Sequence, residues 1–177
     1  MDLYEGLLTR RSIRKYTDKK IPHDVLEDII KAAQYAPSAH NKQSWEFLVI
    51  EDKETLASLR VVQRWTSFAK DASCAIIVCG NLNNVFCRDK DGEKWDYADI
   101  DCTLASQNLM LAAHAKGIGT CFCGASPMPL VIEGLREKLN LPEYIRPVSI
   151  IVMGYPDETP VQPNNRYVAE KIHWEKW

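Results

Sequence analysis

The sequence has no apolar run that approaches the roughly 20 residues needed to cross a bilayer. It also lacks a secretory signal, because residues 2–8 form an amphipathic run instead of a basic segment followed by an apolar core. The formal net charge is only −2, which gives no overall attraction to nucleic acid or to an anionic membrane. These absences predict a cytoplasmic protein that binds neither partner, so any anion site must be local.

The six cysteines do not indicate a disulfide framework. Several lie inside apolar runs such as residues 74–79, where a free thiol acts as a small hydrophobic side chain. The chain is neither short nor evidently secreted. We therefore expect thiols that are mostly reduced.

Helical and strand patterns alternate along the 177 residues, without a repeat or a linker that would divide the chain. This alternation predicts one layered α/β or α+β domain. No Gly-x-Gly-x-x-Gly turn follows the first strand, which argues against a Rossmann dinucleotide fold. The predicted helices cover residues 2–9, 22–36, 53–62, 99–116 and 128–139, and the predicted strands or turns cover residues 46–51, 74–80, 119–124 and 146–154.

Prolines and glycines set the expected ends of two helices. Pro22 suits a first helical position, Pro37 discourages continuation beyond Ala36, and Gly117 suits the end of the long helix. The second half of that long helix is apolar nearly all round. It therefore needs burial on several sides, in the core or against another subunit.

Two further segments show no clear core pattern. Residues 81–97 are polar, with Asp91-Gly92 as a turn signal, and we expect an irregular lid or binding loop there. The tail from Tyr155 onward is rich in proline and ends in tryptophans. Such a tail is either loose or wraps around something, and we expect it to wrap.

A basic segment, residues 10–16, follows the first predicted helix. In an extended chain residues 10, 12 and 14 point to one side, so Arg10 and Arg14 would flank the hydroxyl of Ser12. Two guanidinium groups and a hydroxyl suit a phosphate dianion, which accepts several charge-assisted hydrogen bonds. The alternative is a solvated basic turn.

A turn with amide side chains precedes the first strand. Asn41 and Gln43 can each donate and accept hydrogen bonds, which suits a ligand with a mixed edge such as the pyrimidine ring of a flavin. The alternative is a loop whose amides satisfy local backbone groups.

Glycines stand where the long helix gives way to a strand. Gly117 and Gly119 allow the backbone to approach a flat ligand closely, and N–H groups there can donate to flavin N5 and O4. The alternative is a metal site at Cys121 and Cys123. No second close Cys or His pair completes a tetrahedral set, so we predict no metal.

In this order and spacing the segments resemble the nitroreductase family of FMN enzymes, over nearly the whole chain. Asp71-Ala72-Ser73 before a strand and Gly154-Tyr155-Pro156 near the tail add to the resemblance. It implies an α+β fold in three layers, with a mixed, mostly antiparallel sheet flanked by helices, and an intertwined homodimer. Residues 1–177 would form one FMN-binding domain, in which residues 155–177 wrap the partner subunit.

The resemblance also implies which residues bind the cofactor. The phosphate and ribityl chain are assigned to Arg10, Arg11, Ser12, Arg14 and Arg166, with Arg11 acting partly through its backbone. Pro37, Ser38, Ala39 and Asn41 would reach the flavin from the other subunit, with Gln43 close by, and the backbone of Cys123 and Gly124 would face the N5 edge. This chain departs from the family at Asn165, where a second Lys or Arg is frequent, and at Trp65 and Phe68, where some members have Asn or Lys.

The implied activity is transfer of hydride from NAD(P)H through flavin N5 to a small oxidised acceptor, such as a nitroaromatic compound, quinone, enone or flavin, in a ping-pong cycle. No side-chain acid or base is needed at N5, so no catalytic residue is predicted. The alternatives are a dehalogenase or flavin-destructase-like enzyme on the same fold, an FMN- or thiol-based sensor without turnover, and a plain metal-binding module.

Overall fold

The computed structural model describes residues 2–90, 93–162 and 166–177. The helices are α1 (Leu3–Thr9), α2 (His23–Ala33), α3 (Lys53–Val62), α4 (Ala98–Ala115) and α5 (Pro129–Leu139). The strands are β1 (Trp45–Ile50), β2 (Cys74–Asn81), β3 (Cys87–Lys90), β4 (Glu93–Asp96), β5 (Gly119–Gly124) and β6 (Ile145–Gly154). Short 3₁₀ segments cover Ala39–Asn41, Arg64–Asp71 and Ala169–Lys171.

Four strands form one sheet in the order β1-β2-β6-β5, and every neighbouring pair is antiparallel. A parallel bridge joins Ser12 to Thr120 and adds the basic segment to the β5 edge. β2 and β6 occupy the centre and are apolar and buried along nearly their whole length, as strands covered on both faces are. The turn before β1 and the glycine strand β5 therefore lie at opposite edges of the sheet.

Helices cover both faces of this sheet. Because side chains alternate across a strand, Ile76 of β2 packs with the α2 and α4 side, whereas its neighbour Ile77 packs with Leu56 of α3 and Leu135 of α5. The two buried clusters form three layers, with α2 and α4 on one side and α3 and α5 on the other. The predicted α+β fold, with a mostly antiparallel sheet flanked by helices, is confirmed.

The long helix α4 is buried on several sides, as its composition predicts. It contacts α1, α2 and four strands, and Cys102, Leu109 and Ala113 along it are fully buried. Ile100 and Leu104 nevertheless remain exposed to solvent on the single chain. None of the helices in the described part of the chain combines the length and the apolar character that crossing a bilayer requires.

The second helix is shorter than predicted at both ends. Pro22 is extended and precedes the helix as its N-cap residue, so the prediction that it takes the first helical position is wrong. The helix ends at Ala33, because Tyr35 and Ala36 donate to carbonyl groups three residues back and tighten the chain before Pro37.

The prediction of an irregular segment over residues 81–97 is wrong in part, because β3 and β4 pair there as a two-stranded hairpin. Charged residues dominate both strands, so the sequence lacks the apolar alternation from which a strand is predicted. Phe86 stacks on His40 with ring centres 3.9 Å apart, and the Asn84 side chain donates to the Lys42 carbonyl. These two contacts join the hairpin segment to the turn at residues 37–43, which we call the amide turn. The predicted turn at Asp91-Gly92 lies outside the described residues.

Candidate active site

The basic segment lies along β5 in a fixed position. The backbone N–H of Ile13 donates to the Thr120 carbonyl at 2.9 Å, and the Tyr16 hydroxyl donates to the Ile13 carbonyl at 2.6 Å. A Cβ atom on Gly119 would lie only 2.8 Å from the Cβ of Ile13, so the two backbones approach this closely because residue 119 has no side chain. This contact determines where Arg10, Ser12 and Arg14 project.

Arg10 and Arg11 line a cavity of about 430 Å³, which we call the arginine cavity. Burial lowers the pKa of Arg10, and the neighbouring charges of Arg11 and Arg166 lower it further. Arg166 is therefore close to Arg10, although 155 positions separate them along the chain. Glu5 and Glu158 also line the cavity, but the Glu158 carboxylate accepts hydrogen bonds from the backbone N–H groups of residues 14 and 15.

Two buried polar atoms at the arginine cavity have no hydrogen-bond partner among the described residues, Thr120 Oγ1 and Arg11 Nε. A buried donor without a partner costs roughly 1–3 kcal/mol. A phosphate accepts several hydrogen bonds through its oxygens, so these atoms and the guanidinium groups fit an anionic headgroup. The donor set of the cavity therefore suits the phosphate that the resemblance implies.

His114, near the end of α4, also lines the arginine cavity and was not predicted from the sequence. Its Nε2 lies 3.0 Å from the Thr9 hydroxyl. Burial lowers the pKa of His114, and the charges of Arg10 and Arg11 lower it further, which favours the neutral ring. Thr120 was missed as well. Neither residue belongs to a basic motif, and only the packing of α4 and β5 against the basic segment brings them into the site.

A second cavity of about 590 Å³ lies on the α3 side of β5, and we call it the thiol cavity. It is lined by Arg14, Gln63, Trp65, Ser67, Phe68, Cys121, Phe122, Cys123 and Gly124. Arg14, Ser12 and Arg10 lower the pKa of the Cys121 thiol. The structure thus places Arg10 at one cavity and Arg14 at its neighbour.

Gln63 is a buried residue of the thiol cavity that the sequence did not reveal. Its Nε2 donates to the Gly124 carbonyl at 2.6 Å, and its Oε1 accepts from the backbone N–H of Trp65 at 3.3 Å. These bonds join the end of β5 to the 3₁₀ segment that follows α3. Gln63 therefore fixes the backbone at Gly124.

We expect Gln63→Leu to cost about 1 kcal/mol of unfolding free energy, because the Gly124 carbonyl loses a neutral hydrogen bond. The measurement is a denaturant titration. Glu137→Leu, at an exposed position of α5, is the control and is expected to leave stability nearly unchanged. Equal effects of the two substitutions would show that the bond to Gly124 contributes nothing.

The amide turn lies away from both cavities of the same chain. Asp101, only 1% exposed, accepts from the Ala39 backbone N–H at 2.9 Å and from the Ser44 hydroxyl at 3.1 Å. Asn41 and Gln43 have φ values of 52° and 50°, a conformation that L-residues adopt infrequently, and both side chains are exposed. Asp101 thus ties down a strained turn that presents its amides to solvent.

Of the other predicted residues in this turn, Ser38 accepts a hydrogen bond from the Gln43 backbone through its hydroxyl, and Pro37 is exposed. Neither lines the arginine cavity or the thiol cavity. Within one chain the structure therefore brings together Arg10, Arg11 and Arg166, and Arg14 with Cys123 and Gly124, but not the turn. Asn165, a predicted departure from the family, lies outside the described residues.

A family model described as the Nitroreductase family matches residues 7–78 and 60–155. The chain belongs to the nitroreductase family, and the predicted membership is confirmed. A relative from Methanothermobacter thermautotrophicus named "Putative NADH dehydrogenase/NAD(P)H nitroreductase" is 38% identical over 177 residues, covering 100% of this chain and 88% of the relative.

Solved structures agree in fold. A Parabacteroides distasonis protein of the same name superposes with a TM-score of 0.88 at 32% identity, covering 99% of this chain and 98% of the other. An FMN-dependent nitroreductase from Clostridium difficile superposes with a TM-score of 0.85 at 29% identity, covering 98% of this chain and 99% of the other.

Proposed function

We propose that this protein is an FMN-dependent oxidoreductase that transfers hydride from NAD(P)H to a small oxidised acceptor in a ping-pong cycle. The acceptor class includes nitroaromatic compounds, quinones, enones and flavins. Family membership and the relatives named for FMN and NAD(P)H support the cofactor and the donor. The observation on which the proposal depends is the arginine cavity, where Arg10 and Arg11 stand beside unpartnered buried donors and within electrostatic range of Arg166.

The arginine cavity would bind the FMN phosphate. Arg10, Arg11 and Arg166 supply positive charge, and the hydroxyl of Thr120 supplies a neutral donor. A bound dianion would relieve the mutual repulsion of the guanidinium groups, which is an electrostatic gain that an empty cavity lacks. Ser12, on the same segment, would contact the ribityl chain.

The thiol cavity would hold the ring. The backbone of Cys123 and Gly124 would donate to its N5 edge, and the hydrogen bond from Gln63 to Gly124 keeps that backbone in place. Arg14 would place positive charge near the pyrimidine edge, where it favours an anionic ring. When bound, FMN supplies the N5 atom that accepts hydride, and the protein supplies position and electrostatics.

The site would be completed by a second copy of the chain. The amide turn stands at the sheet edge opposite β5, so Pro37, Ser38, Ala39, Asn41 and Gln43 of one chain do not reach its own arginine cavity. Large apolar side chains are exposed on α1, α4 and the tail, including Leu3 at 72% and Trp174 at 82%. Exposed apolar area of this kind is typical of protein interfaces. We propose a homodimer in which residues 155–177 of one FMN-binding domain wrap the other.

An absorbance spectrum of the purified protein tests the proposal. We expect the yellow spectrum of bound flavin, released as FMN on denaturation, in a ratio of one per chain. Anaerobic NADH or NADPH should bleach it, and an oxidised acceptor should restore it. Initial rates at varied donor and acceptor concentrations should give the parallel double-reciprocal lines of a ping-pong cycle.

A colourless protein that takes up no FMN would refute the proposal. Tight FMN binding without reduction by either nicotinamide would favour a sensor. Restoration of the colour by halogenated aromatic compounds, and by no other acceptor, would favour a reductive dehalogenase.

A further inference from the structure

Cys121 and Cys123 are alternate residues of β5, so both thiols point to the same face of the strand. Both are free and buried on the α3 side of the sheet, whereas Phe122 between them is 39% exposed. Both residues also line the thiol cavity, so open space adjoins the pair.

The electrostatic surroundings distinguish the two thiols. The pKa of Cys121 is lowered below the usual thiol value by the neighbouring Cys123 thiol, against the opposing effect of burial, and by Arg14, Ser12 and Arg10. The pKa of Cys123 is raised by its interaction with Cys121 and by burial, and its thiol donates to the Trp65 carbonyl at 3.6 Å. Cys121 is therefore the more readily ionised thiol of the two, and the thiolate is the form that binds soft ligands.

The other cysteines differ from this pair. Burial raises the pKa of Cys74, Cys79 and Cys102, which lie in packed regions of the core. Cys87 is exposed on the hairpin. None of these four thiols lines the arginine cavity or the thiol cavity. Among the six cysteines, Cys121 and Cys123 are the pair that lines the thiol cavity, and the pKa of Cys121 is lowered.

We propose that Cys121 and Cys123 form a two-sulfur site for a soft, thiophilic trivalent arsenic centre at the wall of the thiol cavity. Thiolate sulfur selects soft ions over hard ones. In the part of the chain that the structure describes, no group of three or more His, Cys, Asp or Glu residues is placed to hold a metal ion. The site therefore fits a centre that needs only two protein ligands and carries its own third substituent.

The binding reaction is a condensation without redox change. An organic arsenous oxide, R–As=O, forms two As–S bonds with Cys121 and Cys123. Its oxygen leaves as water with the two thiol protons. Arsenic stays trivalent and both sulfur atoms stay at the thiol level, so no oxidant or reductant is required. The organic substituent would occupy the cavity beside Trp65 and Phe68.

The test uses phenylarsine oxide on the full chain, as purified and after removal of any bound flavin, with intact mass as the readout. We expect one phenylarsenic group per chain in the flavin-free protein, held against excess 2-mercaptoethanol and released by 2,3-dimercaptopropanol, which provides two thiols. Bound FMN should block the reaction, because its proposed ring position lies in the same cavity. Cys121→Ser and Cys123→Ser should each lose this resistance to 2-mercaptoethanol. Cys87→Ser is the matched control and should retain it.

Retention of the resistant adduct in both Cys121→Ser and Cys123→Ser would overturn the proposal. Its loss in Cys102→Ser would overturn it as well, because the adduct would then involve a thiol of the core. Absence of a resistant adduct from the unsubstituted chain in both flavin states would overturn it too. Circular dichroism checks folding, and if one serine variant fails to fold, the other variant and peptide mapping of the adduct decide. Because the readout is mass, a failure of the proposed flavin function leaves this result unaffected.

Discussion

Arg10→Ala is expected to weaken FMN binding roughly 10- to 150-fold while leaving riboflavin binding nearly unchanged. A hydrogen bond to a charged group contributes about 1.5–3 kcal/mol, and about 1.4 kcal/mol corresponds to tenfold in affinity. Riboflavin has the same ring but no phosphate. The ratio of the two changes in affinity therefore measures the contribution of Arg10 to phosphate binding. Titration of the flavin-free protein, followed by flavin fluorescence, measures both affinities.

Arg60→Ala is the control for this experiment, because Arg60 is an exposed arginine on α3 outside both cavities. It should change neither affinity. The flavin-free Arg10→Ala protein should be no less stable than the parent, since burial and two neighbouring guanidinium groups lower the pKa of Arg10. Equal losses for FMN and riboflavin would show that Arg10 does not contact the phosphate.

Gly119→Ala is expected to cost about 1–3 kcal/mol of unfolding free energy, the range for overpacking a close contact, and to weaken FMN binding as well. The added Cβ would lie 2.8 Å from Ile13 Cβ and Cγ1, so the basic segment must move away from β5. That movement would displace Arg10 and Ser12 together. Denaturant titration and FMN titration measure the two effects.

Gly124→Ala provides a matched control for stability on the same strand. Its added Cβ would meet no atom closer than 3.6 Å, an ordinary van der Waals distance. We expect a stability change within about 0.5 kcal/mol of zero. If Gly119→Ala is equally mild, the basic segment is not fixed by this contact.

The parts of the fold that the sequence predicted well are those with strong local patterns. The helix over residues 53–62 was predicted with the bounds that the structure shows, and the buried strand at residues 74–80 within one residue. Failures occurred where the pattern is weak. The strands β3 and β4 are too polar to show alternation, and α2 ends earlier than predicted because the chain tightens before Pro37.

The candidate site shows the same division. Arg10, Ser12 and Arg14 were found because basic and hydroxyl groups alternate along one short segment. Thr120, His114 and Gln63 were missed, because each reaches its cavity from a different element through packing that no local pattern reveals. The role of Asp101 was missed for the same reason, since it acts across the fold on the amide turn.

The most direct test is a crystal structure of the protein with FMN. We expect the phosphate to contact Arg10 and Arg166 of one subunit, the ring to lie against the backbone of Gly124, and Asn41 of the partner subunit to reach the ring. A monomeric chain, or a flavin whose phosphate lies away from these arginines, would contradict the proposed site.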